Sequence, residues 1–229
     1  MKFSLVIPAY NEGSHIGSTV RGIVAALNKI GFESEVIVVD NGSTDNTGDA
    51  ILALKKEISQ VSTVRVFPNA GKGNGIVVGF SKTTGDVLGF MDADNQVDPA
   101  KVPEVYHKLI SESLDFCKTV RVERRESFFR IVQSTVFNFL FRFFFGGNHR
   151  DINSSPKIFT RGLYEKLHLV SKDWFLDPEI MIKVTRMGAK TGEVEIIWDA
   201  RKGGKSHVSL TTALEFIKNM FIYRFFGGR

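Results

Sequence analysis

Four short apolar runs in the first ninety residues each end in a polar or glycine-bearing cluster. A helical signal separates each run from the next. Phe3–Ile7 is closed by Pro8, Glu35–Val39 by Asp40, Val64–Phe67 by the turn at Gly71–Gly75, and Val87–Met91 by Asp92. Apolar runs bounded in this way read as buried strands. Between the first two, Ile16, Val20, Ile23, Val24 and Leu27 recur at helical spacing and Gly31 stops the helix. Ser43-Thr44-Asp45 caps a second helix through Ile51, Leu54 and Ile58, and a third lies near 75–83. Strands separated by single helices imply a doubly wound, mainly parallel sheet. Ligands bind such sheets beyond the carboxyl ends of the strands, where Pro8–Glu12, Asp40–Ser43 and Asp92–Gln96 fall.

The second half is less regular. Helices are expected over 99–112, 175–187 and 210–226, strands over 115–120 and 194–198, and Asp151–Phe159 reads as polar and then extended. With 229 residues and no repeat, linker or composition break, the chain reads as one domain, 1–229. The single cysteine, Cys117, excludes a disulfide framework and a cysteine-based zinc site, and fits a reducing compartment. The N-terminal apolar run, cut by Pro8 and Asn11, is too short for a signal peptide.

Asp92-Ala93-Asp94 follows a strand directly, so both carboxylates can face one cleft. Two oxygen ligands so placed suit Mg²⁺ or Mn²⁺ when a substrate phosphate completes the shell. Gln96 adds a neutral oxygen. A solvated turn is the competing account of a D-x-D alone.

The motif has company. Pro8-Ala9-Tyr10-Asn11-Glu12, Val38-Val39-Asp40-Asn41-Gly42-Ser43-Thr44-Asp45-Asn46-Thr47 and Asn69-Ala70-Gly71-Lys72-Gly73 precede Asp92-Ala93-Asp94-Asn95-Gln96. In this order and spacing the chain resembles the family-2 inverting glycosyltransferases of the GT-A fold. Within them it is most similar to the polyprenyl-phosphate (dolichol-phosphate) sugar transferases, from about residue 3 to 207. The resemblance implies an α/β, GT-A fold: a Rossmann-like, mainly parallel sheet flanked by helices. It implies a nucleotide-sugar pocket lined by Pro8, Tyr10, Glu12, Asp40, Lys72, Asp92 and Ala93. It puts Asp92, Asp94 and Gln96 at a metal on the donor diphosphate. Arg201-Lys202-Gly203-Gly204-Lys205-Ser206-His207 resembles the family's phosphate-gripping R-x-x-G-x-S-K segment, with His207 where lysine is usual and Lys205 extra. Asp177-Pro178-Glu179 resembles an acidic motif that sets Glu179 near the sugar, and a helix cap is the other account of Asp177. Asp151, Asn153, Ser154 and Lys157 match a stretch shaping the sugar pocket and acceptor side. Arg121 and Arg124 are candidates for the acceptor phosphate, with a solvated face as the alternative; a solvated turn is likewise the alternative for Lys72. Asn41 stands where relatives carry a second acid and is given no role. The catalytic set implied is Asp92, Asp94, Arg121 and Arg201.

Phenylalanine and charge are unevenly spread. Of 20 Phe, eight lie in 128–145 and four in 216–226. Residues 118–150 and 201–229 each carry a net charge of +5, and the remainder carries −5. Basic, Phe-rich segments suit an anionic surface over an apolar layer, a membrane rather than nucleic acid. As a helix, 128–145 is about 27 Å long, nearly a bilayer core. Arg130, Ser134, Asn138 and Arg142 interrupt it every four residues, so it is expected to lie in the interface, with a buried core helix as the competing account. Residues 210–226 repeat the pattern, with Leu210, Leu214, Ile217 and Phe221 on one side.

The reading is therefore a peripheral (monotopic) enzyme on the cytoplasmic face of a membrane. It moves a sugar, with inversion, from GDP-mannose or a UDP-hexose to a dolichyl or polyprenyl phosphate, like the dolichyl-phosphate mannosyltransferases. A lipid monophosphate, with its second pKa near ~6, is already an anionic nucleophile at neutral pH and needs no dedicated base. The alternatives are a family-2 transferase with a saccharide or cell-surface polymer acceptor, and a catalytically silent nucleotide-sugar-binding membrane module.

Overall fold

The computed structural model describes residues 1–124, 128–147, 150–198 and 210–226. Its order is β1 (Phe3–Ala9), α1 (Ile16–Asn28), β2 (Ser34–Asp40), α2 (Thr47–Glu57), β3 (Val61–Arg65), α3 (Lys72–Phe80), β4 (Val87–Phe90), α4 (Lys101–Ser111) and β5 (Phe116–Arg124). Then follow α5 (Phe128–Phe145), β6 (Lys157–Thr160), α6 (Arg161–Leu167), α7 (Leu176–Arg186), β7 (Thr191–Trp198) and α8 (Leu210–Phe226). The described strands form one seven-stranded sheet, β3-β2-β1-β4-β6-β5-β7.

Only β6 runs against its neighbours, β4 and β5; the other paired strands are parallel. The carboxyl ends of β1, β2, β4 and β5 therefore share one edge with the start of β6. That reversal brings Lys157 opposite Phe90, two residues before Asp92.

Both faces of the sheet are covered, which is why its strands read as unbroken apolar runs. Leu5, Ile7, Val36 and Val38 join one core with Ile16, Val20 and Ile23 of α1. Val6, Ile37 and Val39 join the other with Ile76 and Phe80 of α3 and Ile180 of α7. The positions that predicted α1 are all buried, and Gly31 beyond it has φ +73°.

Two elements differ from expectation. β3 lies three residues earlier than the apolar run suggests, because Val61–Arg65 pair in register with Val36–Asp40 and Phe67 stays exposed. α3 starts at Lys72, inside the glycine-rich stretch. Glycine disfavours a helix, but here close approach decides. A Cβ on Gly73 would stand 2.6 Å from the Ser171 carbonyl oxygen, and one on Gly79 2.3 Å from Val6. α6, unread in the sequence, is capped by the Thr160 hydroxyl, which accepts from the Leu163 amide at 3.3 Å.

α5 and α8 pack together, with Phe137 and Phe216 ring centroids 5.0 Å apart. One side of the pair, carrying Phe141, Met220 and Tyr223, belongs to the core. The other is apolar and open: Val132, Val136, Phe139 and Phe143 on α5, and Ile217, Phe221 and Phe225 on α8. The polar stripe of α5 is turned differently from expectation at Asn138. Its Oδ1 accepts from the Ile152 amide at 3.0 Å, so it anchors the helix to the body instead of meeting headgroups. Among the described residues no helix is long and apolar enough to cross a membrane.

Lys118 on β5 is wholly buried. Its ammonium meets Glu193 at 3.1 Å and donates to the carbonyls of Thr119, Arg150 and Asp151. Burial pulls its pKa down to about 8, against the pull of Glu193. The unfolded chain keeps the lysine proton to about pH 10.4. From about pH 8 to about 10 the unfolded state thus binds more protons, and this group makes stability rise with pH. Lys118→Met should lack that rise in denaturant titrations at pH ~7 and ~10. Equal pH dependence in both proteins would refute the assignment.

Candidate active site

The site occupies the shared edge. Past β1, the Asn11 side-chain oxygen accepts from the Thr44 amide at 2.8 Å, while the Glu12 amide donates to the Thr47 hydroxyl at 2.8 Å. These bonds lock the Pro8–Glu12 turn to the turn after β2. Asp40 is buried: Oδ1 accepts from the Ser43 amide at 2.9 Å and Oδ2 faces Arg65 at 3.4 Å. Asn41, left without a role in the sequence, donates to the Gly71 carbonyl at 3.0 Å and ties this turn to α3.

The Asp92–Gln96 turn follows β4. Thr19 of α1 donates to the Ala93 carbonyl at 3.1 Å, and Asp94 Oδ1 accepts from the Gln96 amide at 3.2 Å. The two carboxylates have different surroundings. Asp92 Oδ1 lies 2.6 Å from Lys72 Nζ, and Oδ2 accepts from the Ser155 hydroxyl at 3.1 Å. Lys72 also faces Asp177 Oδ2 at 3.6 Å and lies 5.0 Å from the centre of the Trp174 ring. Asp177 in turn binds Lys157, whose ammonium also donates to the Ser154 carbonyl at 2.6 Å.

Burial alone would lower the Lys72 pKa, but Asp92 and Asp177 outweigh it and hold the group above the usual lysine range. Burial likewise favours protonation of Asp92, yet Lys72 and the Ser155 hydroxyl keep its carboxyl below the usual range. For Lys157 burial prevails and lowers the pKa against the pull of Asp177.

Several sequence expectations change here. Lys72 is not a solvated turn lysine: it opens α3 with its side chain only 13% exposed and its ammonium set between two carboxylates. Asp177 is not a helix cap, since α7 begins at Leu176 and its carboxylate serves two lysines. Glu179, expected beside the sugar, is fully buried. It accepts from the Val170 and Ser171 amides at 3.0 and 2.8 Å and from Lys183 at 2.6 Å, so it fixes the loop before α7. Arg121 is not on a solvated face either: its Nε donates to Asp151 at 2.6 Å. The Arg124 side chain and all of Arg201, Lys205 and His207 lie outside the described residues.

Among the described residues no group of three or more His, Cys, Asp or Glu is gathered for a metal ion. Asp92 is engaged by Lys72 and Ser155, and Asp94 and Gln96 place two further oxygen-bearing side chains on the same turn. Carboxylate and amide oxygens fit a hard divalent cation whose remaining ligands come from a diphosphate.

The model of glycosyl transferase family 2 matches residues 4–169. The chain belongs to that family. It is 29% identical over 221 residues to the undecaprenyl-phosphate 4-deoxy-4-formamido-L-arabinose transferase of Serratia proteamaculans, and 28% identical to that of Yersinia pestis. Each alignment covers 96% of this chain, which spans 66% of the length of those relatives. Among solved structures, glucosyl-3-phosphoglycerate synthase of Mycobacterium tuberculosis with Mn²⁺, UDP and glucosyl-3-phosphoglycerate superposes with a TM-score of 0.77 at 22% identity. That match covers 97% of this chain and 79% of the other. The same enzyme with Mg²⁺ and UDP also gives 0.77. The expected GT-A architecture is thereby shown for this family-2 chain.

The loop at 171–173 leans on α3: the Asn74 amide donates to the Lys172 carbonyl at 2.7 Å and the Gly73 amide to that of Asp173 at 3.2 Å. Gly73→Ala should force this loop off α3, costing about 1–3 kcal/mol of stability. Denaturant unfolding checks the loss, and parental stability would mean the loop has room to move.

Proposed function

We propose that this family-2 protein transfers a sugar from a nucleotide-sugar to a polyprenyl phosphate at a membrane surface, inverting the anomeric carbon. The observation that carries the reading is the open apolar face of α5 and α8, anchored on the loops that build the site. Asn138 of α5 holds Ile152, next to the Asp151 that binds Arg121. Asn219 of α8 donates to Asp173 at 3.0 Å, beside Trp174, and Phe175 packs on Tyr223 at 5.6 Å. A lipid acceptor explains why a nucleotide site carries such a face, and exposed Arg142, Lys218 and Arg224 suit an anionic surface. The relatives named for undecaprenyl phosphate support the same acceptor class.

In this mechanism the acceptor phosphate is already ionised, so the protein positions it and withholds water instead of abstracting a proton. An acceptor oxygen forms the new bond to the anomeric carbon. The bond from that carbon to the donor oxygen breaks, its electron pair leaving on the nucleoside diphosphate. Arg121, oriented by Asp151, is the described cation assigned to the acceptor phosphate. Pro8, Tyr10, Glu12 and Asp40 line the nucleotide side, and Asp92 with Lys72 lies toward the sugar. Asp94 and Gln96 would hold Mg²⁺ or Mn²⁺, which when bound supplies charge neutralisation for the departing diphosphate. The reading places the reaction at a cytoplasmic membrane face.

Incubation with a panel of UDP-sugars and GDP-mannose should load one sugar onto polyprenyl phosphate. Transfer only to saccharides, or nucleotide binding with no transfer, would overturn this reading in favour of those activities. Asp94→Ala should abolish metal-dependent nucleotide binding by calorimetry; unchanged binding would remove Asp94 from the metal site. Phe139 and Phe143 are 61% and 75% exposed, whereas Phe141 is a core residue. Replacing the two exposed rings by Ala should weaken association with anionic vesicles by at least about tenfold. Sedimentation with vesicles measures this, and equal binding would mean the face serves another surface.

A further inference from the structure

Four charges of alternating sign run beneath the site: Lys157 and Asp177, which are buried, and Lys72 and Asp92, which are partly exposed. They come from β6, α7, α3 and the end of β4, so only the folded sheet edge assembles them. Lys72 is shared unequally, at 2.6 Å from Asp92 and 3.6 Å from Asp177. Asp177 can leave Lys72 to Asp92 because it has a cation of its own.

We propose that Lys157 is a positioning residue for the donor site, resting on the transferase reading above: by neutralising Asp177 it keeps the Lys72 ammonium on Asp92. The surroundings of Lys157 suit the task. It has no exposed surface, its reach is set by the Ser154 carbonyl at 2.6 Å, and the Phe90 ring lies 5.5 Å from its ammonium. Ser155, two residues before Lys157, donates to the far oxygen of Asp92. One short segment thus steadies Asp92 directly from one side and, through Asp177 and Lys72, from the other. A buried carboxylate left without a partner is costly. If Lys157 loses its charge, Asp177 draws Lys72 toward itself, and Asp92 keeps only Ser155 and turns away from the donor.

The test is calorimetric binding of UDP and of GDP in the presence of Mn²⁺, with folding checked by circular dichroism. Lys157→Met should weaken binding of the preferred nucleotide by about tenfold or more. Lys157→Gln, which keeps a hydrogen bond to Ser154 but not the charge, should do the same and serves if the Met variant does not fold. Adding Asp177→Asn to either variant should restore most of the loss, because no second carboxylate then competes for Lys72. A purely structural role for Lys157 makes the double variant as weak as the single one or weaker, and that result overturns the proposal. Parental binding by Lys157→Met or Lys157→Gln overturns it too. If the parent itself binds neither nucleotide, the transferase reading fails, and this one with it.

Discussion

The contact between Lys72 and Asp92 is the point on which the site depends. A carboxylate buried at a strand end is unfavourable unless a cation meets it, and a buried lysine is unfavourable for the mirror-image reason. Each meets the other's need, and Asp177 with Lys157 extends the alternation of charge. The result is an oriented carboxylate whose charge is already compensated before any ligand arrives. Folding bears the cost of that arrangement, so a ligand of the proposed class would meet a carboxylate already oriented.

The same economy separates the two carboxylates of the Asp92-Ala93-Asp94 turn. Thr19 fixes the turn from α1, Lys72 and Ser155 engage Asp92, and Asp94 is kept on the same turn as Gln96. Around this centre the chain divides its labour by charge and by layer. The turns after β1, β2 and β4 belong to the acidic part of the chain, whereas the basic, Phe-rich helices sit against the loops at 151–155 and 168–175. Glu179 belongs to this second set of supports: its carboxylate gathers two amides and Lys183, so the loop that touches both α3 and α8 has a fixed root.

Much of the sheet was legible in the sequence because parallel strands buried on both faces leave unbroken apolar runs with chemistry at their ends. The helices 128–145 and 210–226 were legible to the residue for a related reason, their dense apolar periodicity. What escaped reading depended on partners distant in the chain. The glycines of α3 argue locally against a helix, and only the backbone at 171–173 explains them. Asp177 carries a local cap signal, yet its partners are Lys72 and Lys157, 105 and 20 residues away. Asn138 fits a lipid-facing stripe by spacing, but the Ile152 amide claims it. Lone lysines in the apolar segments Phe116–Val120 and Lys157–Phe159 were the local hints of buried charge.

The reversed strand β6 has a consequence for how such a protein can change. β5 ends and β6 begins at the same edge of the sheet, so the described segments between them, 128–147 and 150–156, leave that edge and return to it. α5 sits within that excursion. Its outer face can vary while the strand pairing and the Asp92 turn stay as they are. The open apolar face of α5 is in this sense separable from the sheet edge. A family-2 sheet can in this way keep its edge while one detour of the chain changes.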